Sequence, residues 1–416
     1  MNPSHGSERL ARAQADIGTA YVRLALAIEQ HQPGYIDAFF GPAAWKTRSE
    51  MEGKLPLAEL SGRALTLARS VAAEDADSQR MRFLRKQVSA MQTTLRILAG
   101  EKVPYLDEVE QVYDISPERV DDALLEEARH TLETLLPGEG SANERLRARR
   151  RRFQVENEVA SALFAIASSE TRRRTRRLFA LPDDEAVEIS FVADKPWRAY
   201  NWYLGHGRSL VEINSDSPFQ ANSIVGLMTH EAYPGHHTEH VIKEHGIYKG
   251  LGWPEASVLL INAPECVVSE GIATMAEEVI FADGEVERWQ RTELYPRAGV
   301  YDDLSSDEVD ALGKAQRALS GASDNAALML HVDGRPVAEV IAYLLRYSGR
   351  TRQEAEASIR FLTEPLSRSY TFTYSVGYAL LEKIFRSHDR VGVFRRLLSE
   401  PLTPADLVDW PGAAAP

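Results

Sequence analysis

Five of the chain's eleven histidines fall between positions 230 and 245: His230, His236, His237, His240 and His245. The first opens the run His230-Glu231-Ala232-Tyr233-Pro234-Gly235-His236-His237, and Ser269-Glu270-Gly271-Ile272-Ala273 follows further along. A His-Glu pair with another His within two helical turns is how many zinc hydrolases hold their metal, a Glu from a neighbouring helix completing the set. The imidazoles ligate as neutral nitrogens. The Glu beside the first His stays free to act as base on a water activated by the metal. Core packing does not account for such a concentration of histidine. The pattern points to a metal-dependent hydrolase.

The spacing departs from His-Glu-x-x-His, in which the two imidazoles lie one turn apart. Here position 234 is Pro, and the next histidines stand six and seven residues after His230. Six residues of regular helix turn the side chains apart and add about 9 Å of rise. Seven restore nearly the same face, but about 10 Å along, too far for one ion with nitrogen bonds of about 2.0–2.1 Å. Either histidine therefore requires the helix to bulge or break. Pro234-Gly235 is where it can, since Pro removes a donor and Gly accepts dihedrals that other residues refuse. His236 needs the smaller displacement and is the expected ligand, with His237 as the alternative or as a hydrogen-bonding residue behind the site. His240 and His245 read as surface or helix-terminal residues.

In the second motif, Glu270 and Glu277 share a helix face, while Val268, Ile272, Met275 and Val279 supply much of the apolar surface. A carboxylate so placed is costly to bury without a cation or donor, and a metal supplies one. Glu277 reads as an acceptor behind a ligating His, and Cys266 as a small buried hydrophobe. Hydrolysis at a carbonyl also needs a donor for the developing oxyanion. Tyr374 and His331 are the favoured candidates, ahead of Tyr378 and Arg368, because a tyrosine hydroxyl donates well and stays neutral at pH 7.

The His-Glu-x-x-Pro-Gly-His block followed by Glu-Gly-x-Ala-x-x-Ala-Glu resembles the hydrolase family catalogued as domain of unknown function 885, grouped with zincin-type metallopeptidases. Three further blocks are similar to segments of that family: residues 33–42, residues 325–331 ending in His331, and Tyr374-Ser375-Val376-Gly377-Tyr378. The resemblance implies His230, His236 and Glu270 as ligands of Zn2+ and Glu231 as general base. It also implies a zincin-like fold with a central metal cleft. Ile272 and Met275 stand where the family favours Trp and Tyr, which bears on substrate preference.

Around these motifs most of the chain carries helical periodicity, over 9–31, 58–100, 117–137, 143–180, 219–245, 264–282, 285–295, 306–332, 335–348, 351–362, 368–388 and 391–399. Between 182 and 218 the pattern shifts to three short strands, expected to form one small antiparallel sheet with an edge near 209–214 that could take an extended substrate. The expectation is a mainly α single domain: a helical part over about 1–180, then sheet, metal site and further helices over about 181–416. The net charge of 48 − 61 = −13 argues against nucleic-acid binding. The arginine clusters at 145–152 and 172–177 read as solvated or intramolecularly paired faces. One cysteine, no apolar h-region and no long apolar run lead to the expectation of a cytoplasmic protein with no membrane partner. The leading functional reading is a zinc-dependent hydrolase of peptides or small amides. The alternatives are hydrolysis of non-peptide amides or esters, and a non-catalytic metal-binding scaffold.

Overall fold

The computed structural model describes residues 3–75, 78–195 and 197–410, with side chains from residue 16 onward. The protein is mainly α-helical with small β-sheets. Helix Pro264–Ile280 organises it. Fourteen of its residues are buried, and Pro264–Ala273 are buried all round, which is the mark of a helix packed into the interior rather than laid on a surface. Val268, Ile272, Met275, Ala276 and Ile280 enter one apolar cluster with Phe164, Val211 and Leu381. Ala263, just before it, joins a second cluster with Tyr21, Leu84 and Met91. Val267 joins a third with Tyr113, Ala327 and Phe372. Glu270 thus sits on the element where three parts of the core meet.

Among the described residues seven strands form three sheets: β1 (Ile36–Phe39), β2 (Gln154–Val155), β3 (Ala186–Val192), β4 (Ala199–Gly205), β5 (Arg208–Asn214), β6 (Phe219–Gln220) and β7 (Val258–Leu260). The three strands expected from the alternating stretch are β3, β4 and β5, in the order β3-β5-β4. β4 and β5 pair antiparallel, whereas β3 and β5 run parallel. The expected edge at 209–214 is therefore a correction: β5 is central and β4 lies at an edge. Alternation along a strand says which face is buried but not which neighbour it pairs with.

Several predicted helices are divided. The 58–100 stretch is Leu57–Ala72 and Gln79–Leu98, 143–180 is Ala142–Arg152 and Asn157–Leu178, and 306–332 breaks at Gly321. Ala43–Glu52 and Tyr105–Tyr113, each following a proline, were not apparent from periodicity. The arginine clusters pair within the chain: Arg149 with Asp302, Arg172 and Arg176 with Glu185, Arg174 with Glu170 and Glu285. Among the described residues no helix is long and apolar enough to cross a membrane.

Helix Phe372–Phe385 crosses Pro264–Ile280 at two glycines. A Cβ on Gly377 would lie 2.6 Å from the Val267 carbonyl oxygen and 3.0 Å from the Gly271 nitrogen, and one on Gly271 would lie 3.0 Å from the Gly377 carbonyl. Backbone on both sides leaves nothing flexible to yield. Gly377→Ala should therefore destabilise the protein by about 1–3 kcal/mol, the usual cost of overpacking, in a denaturant titration. A variant as stable as the parent would show that the crossing is looser than described.

Candidate metal centre

The helix carrying His230 is Ile224–Glu231, and it ends where the sequence turns irregular. Ala232 and Tyr233 donate backbone hydrogen bonds to Met228 O, and Gly235 donates to Thr229 O at 2.9 Å, so the turn folds back onto the helix's open carbonyls. The Tyr233-Pro234 bond is cis. A new helix then runs His236–Lys243. Gly235 is sterically obligatory: a Cβ there would lie 1.9 Å from His230 O. The reversal removes the separation that a continuous helix would impose. The His230 and His236 rings meet edge to face with centroids 4.9 Å apart.

Glu270 approaches from the neighbouring helix, its Oε2 3.5 Å from His230 Nε2. Ligand atoms of His230, His236 and Glu270 lie within 4.8 Å of one another. Glu270 Oε1 accepts from the Tyr370 hydroxyl at 2.6 Å, whereas Oε2 is buried without a hydrogen-bond partner. An unpaired buried carboxylate oxygen is costly, and here it faces two imidazoles. Two nitrogens and one oxygen fit a divalent ion of the zinc type with a position left open. The donor set fits the ion that the sequence implies.

The electrostatics of these side chains agree. Burial, aided by the neighbouring His236, pushes the His230 imidazole down to about 3, so it is neutral and able to ligate. For His236 burial opposes the charge, but the carboxylates of Glu239, Glu270 and Glu231 prevail and lift it to about 10. Burial, with help from Glu270 and Asp37 and against His236, raises Glu231 to about 7, near where a general base works at neutral pH. Glu231 is also tied through its backbone, its carbonyl accepting from Asn201 Nδ2 of β4 at 2.5 Å.

The other sequence candidates separate. His237 is fully buried with both ring nitrogens engaged, Nδ1 with Ser209 Oγ at 2.8 Å and Nε2 with Glu185 Oε2 at 3.1 Å, so it has no nitrogen to offer an ion. His240, expected at the surface, is buried and stacks on Tyr203 with centroids 5.0 Å apart. Tyr374 is 45% exposed, with its ring against Tyr370 at 5.6 Å and its hydroxyl within electrostatic reach of Glu270 and Glu231. The structure does not bring His331 to the cluster, which corrects that candidate: its ring stacks on Tyr105 at 4.4 Å and Nε2 bonds the Leu362 carbonyl at 2.6 Å. Arg368 pairs with Glu108, and Tyr378 lies against Glu382 and Arg317. Glu277 stands beside Gly226 of the His230 helix, not behind a ligating imidazole. Cys266 is buried, its thiol 3.6 Å from the Tyr370 hydroxyl.

Sequence reasoning missed Tyr370, Ser269, Glu239 and Asp37. Ser269 Oγ lies 3.2 Å from His236 Nδ1 and donates to Glu239 Oε2 at 2.6 Å. Asp37 of β1 accepts from Tyr200 of β4 and is electrostatically coupled to His236. Signals existed for two of them: Ser269 precedes Glu270, and Glu239 lies one turn after His236.

No protein-family model matches the chain, and no curated protein matches it. Among solved structures the fold is similar to that of a candidate lipoprotein from Colwellia psychrerythraea, with 15% identity and a TM-score of 0.51 over 84% of this chain and 65% of that one. It is likewise similar to a candidate lipoprotein of unknown function from Shewanella oneidensis, with 14% identity and a TM-score of 0.50 over 88% and 75%. An M32 carboxypeptidase from Deinococcus radiodurans R1 aligns at 12% identity and a TM-score of 0.38 over 97% and 94%. The chain spans just under two thirds of the Colwellia protein. These likenesses concern the fold.

A divalent ion at this cluster competes with the proton that the carboxylates hold on His236. That proton stays on in the folded protein up to about pH 10, while an unfolded histidine loses it near 6.5. Zinc binding at pH 8 should therefore release about one proton, and affinity should rise with pH, by about tenfold per unit per proton displaced. Calorimetry in buffers of different ionisation enthalpy measures this. A proton count of zero at pH 8 would contradict a cationic His236.

Proposed function

We propose that the protein is a zinc-dependent hydrolase of peptide or other amide bonds, related to the family of domain of unknown function 885. The observation that carries this reading is the orphaned Oε2 of Glu270, buried 3.5 Å from His230 Nε2 and grouped with His236. Among the described residues no hydrogen-bond donor satisfies that oxygen, and a cation would. His230, His236 and Glu270 hold the ion, which when bound supplies polarisation of a carbonyl and activation of water. Glu231 does the proton work. With its pKa near 7 it accepts a proton from the attacking water and passes it to the leaving amine. Tyr370 fixes the Glu270 carboxylate through Oε1, and the more exposed Tyr374 beside it donates to the oxyanion.

Protein purified without added metal should contain close to one zinc per chain by elemental analysis. His230→Ala or Glu270→Ala should lose it, whereas His245→Ala should keep it. Metal-free protein that also ignores added zinc would end the proposal. On a substrate found with a mixed peptide library, Glu231→Gln should retain zinc and lose about 10²–10⁴-fold in turnover, because the amide matches the shape but accepts no proton. If that variant stays active, the base is another group.

A further inference from the structure

Behind His236 lies a buried polar chain that the proposed chemistry does not use. Ser269, Glu239, Lys243, Glu265 and Gln87 are each at most 8% exposed. Lys243 Nζ donates to Glu239 Oε1 at 2.7 Å and to Glu265 Oε1 at 2.6 Å, and Gln87 Nε2 donates to Glu265 Oε2 at 3.2 Å. Burying charged groups in this way is costly unless they are paired with one another. The hydrogen bonds converge on Glu239, from the ammonium on one side and from Ser269, with the imidazole behind it, on the other.

A serine hydroxyl has a single proton. Glu239, ion-paired with Lys243, is an acceptor only, so the Ser269 proton goes to Glu239 Oε2 at 2.6 Å. The Ser269 oxygen is then left to accept from His236 Nδ1 at 3.2 Å. Glu239 itself is 3.9 Å from Nδ1, too far to do this directly. With Nδ1 protonated, Nε2 becomes the bare nitrogen available to an ion.

We infer that Ser269 is the positioning residue of the site: by accepting from Nδ1 it fixes the ring and tautomer of His236, and the buried Lys243–Glu239 pair fixes the direction of the serine proton. Metal-ligating histidines commonly lean on a carboxylate in this role; here a hydroxyl is interposed. The inference rests on the proposed metal site.

The test compares full-length wild type, Ser269→Ala and Ser269→Thr. Zinc affinity is measured by competition with a chromogenic chelator, and the visible spectrum of the cobalt(II)-substituted protein is recorded alongside. The thermal midpoint of each metal-free protein reports folding separately. Ser269→Ala should lose about 10–100-fold in zinc affinity and shift the cobalt bands, while Ser269→Thr, which keeps the hydroxyl, should recover most of both. Glu239→Gln offers a route independent of the serine. Its amide can donate to Ser269 and reverse the serine proton onto Nδ1, so it should also weaken zinc by about tenfold or more. If Ser269→Ala does not fold, Glu239→Gln decides. Wild-type affinity and an unchanged cobalt spectrum in the deciding variant would overturn the inference and leave the metal site standing. A wild-type protein that binds neither ion would overturn both.

Discussion

Buried negative charge is the constraint on which this site depends. Glu231, Glu239, Glu265 and Glu270 are each at most 8% exposed, and among the described residues the lysine or arginine bonded to them is Lys243, which serves Glu239 and Glu265. Glu270 and Glu231 have imidazoles for neighbours, and these carboxylates together with Glu239 favour the charged form of His236 against its burial. Removing carboxylates from water costs several kcal/mol each unless they are paired. A protein that maintains such a group in its interior either protonates it or supplies a cation. Glu231 takes the first course, with its pKa near 7, and Glu270 is placed for the second.

That arrangement is possible because two backbone features bring distant parts of the chain to one point. The turn at 232–235 folds His236 back over the end of the His230 helix, and Gly235 permits it by having no Cβ to strike His230 O. The Gly271–Gly377 crossing lets helix Phe372–Phe385 approach Pro264–Ile280, next to the residue that points at the imidazoles. The loop entering that helix delivers Tyr370 to Glu270. Small residues here admit close backbone contact, and the functional side chains occupy the neighbouring positions.

Much of this was legible in the sequence, for identifiable reasons. Helical content follows from periodicity over long amphipathic stretches, and the break at Pro234-Gly235 follows from what those two residues do to a helix. The cluster of His230, His236 and Glu270 is the one that spacing and family resemblance together marked. What was not legible depends on which segments meet. Tyr370 could not be singled out among fifteen tyrosines, because its role is set by a contact one hundred residues away in the chain. His331 attracted interest as a conspicuous histidine, yet its nitrogen is committed to a backbone carbonyl. Strand order was out of reach for a related reason: β5 carries the same alternation whether it is central or at an edge.

His236 and His237 show how little residue type alone decides. Adjacent in sequence, they face different networks. His237, with Ser209 and Glu185, forms a Ser-His-Glu array whose distances, 2.8 and 3.1 Å, would pass for a nucleophilic triad. All three residues are at most 2% exposed, and Glu185 is further held by Tyr233 and Arg172, so no substrate reaches the serine. The array instead ties the turn that carries His236 to β5 and to the segment before β3. The same residue type thus serves as rigid support at position 237 and as the proposed ligand at position 236, and the difference lies in whether a ring nitrogen is left open.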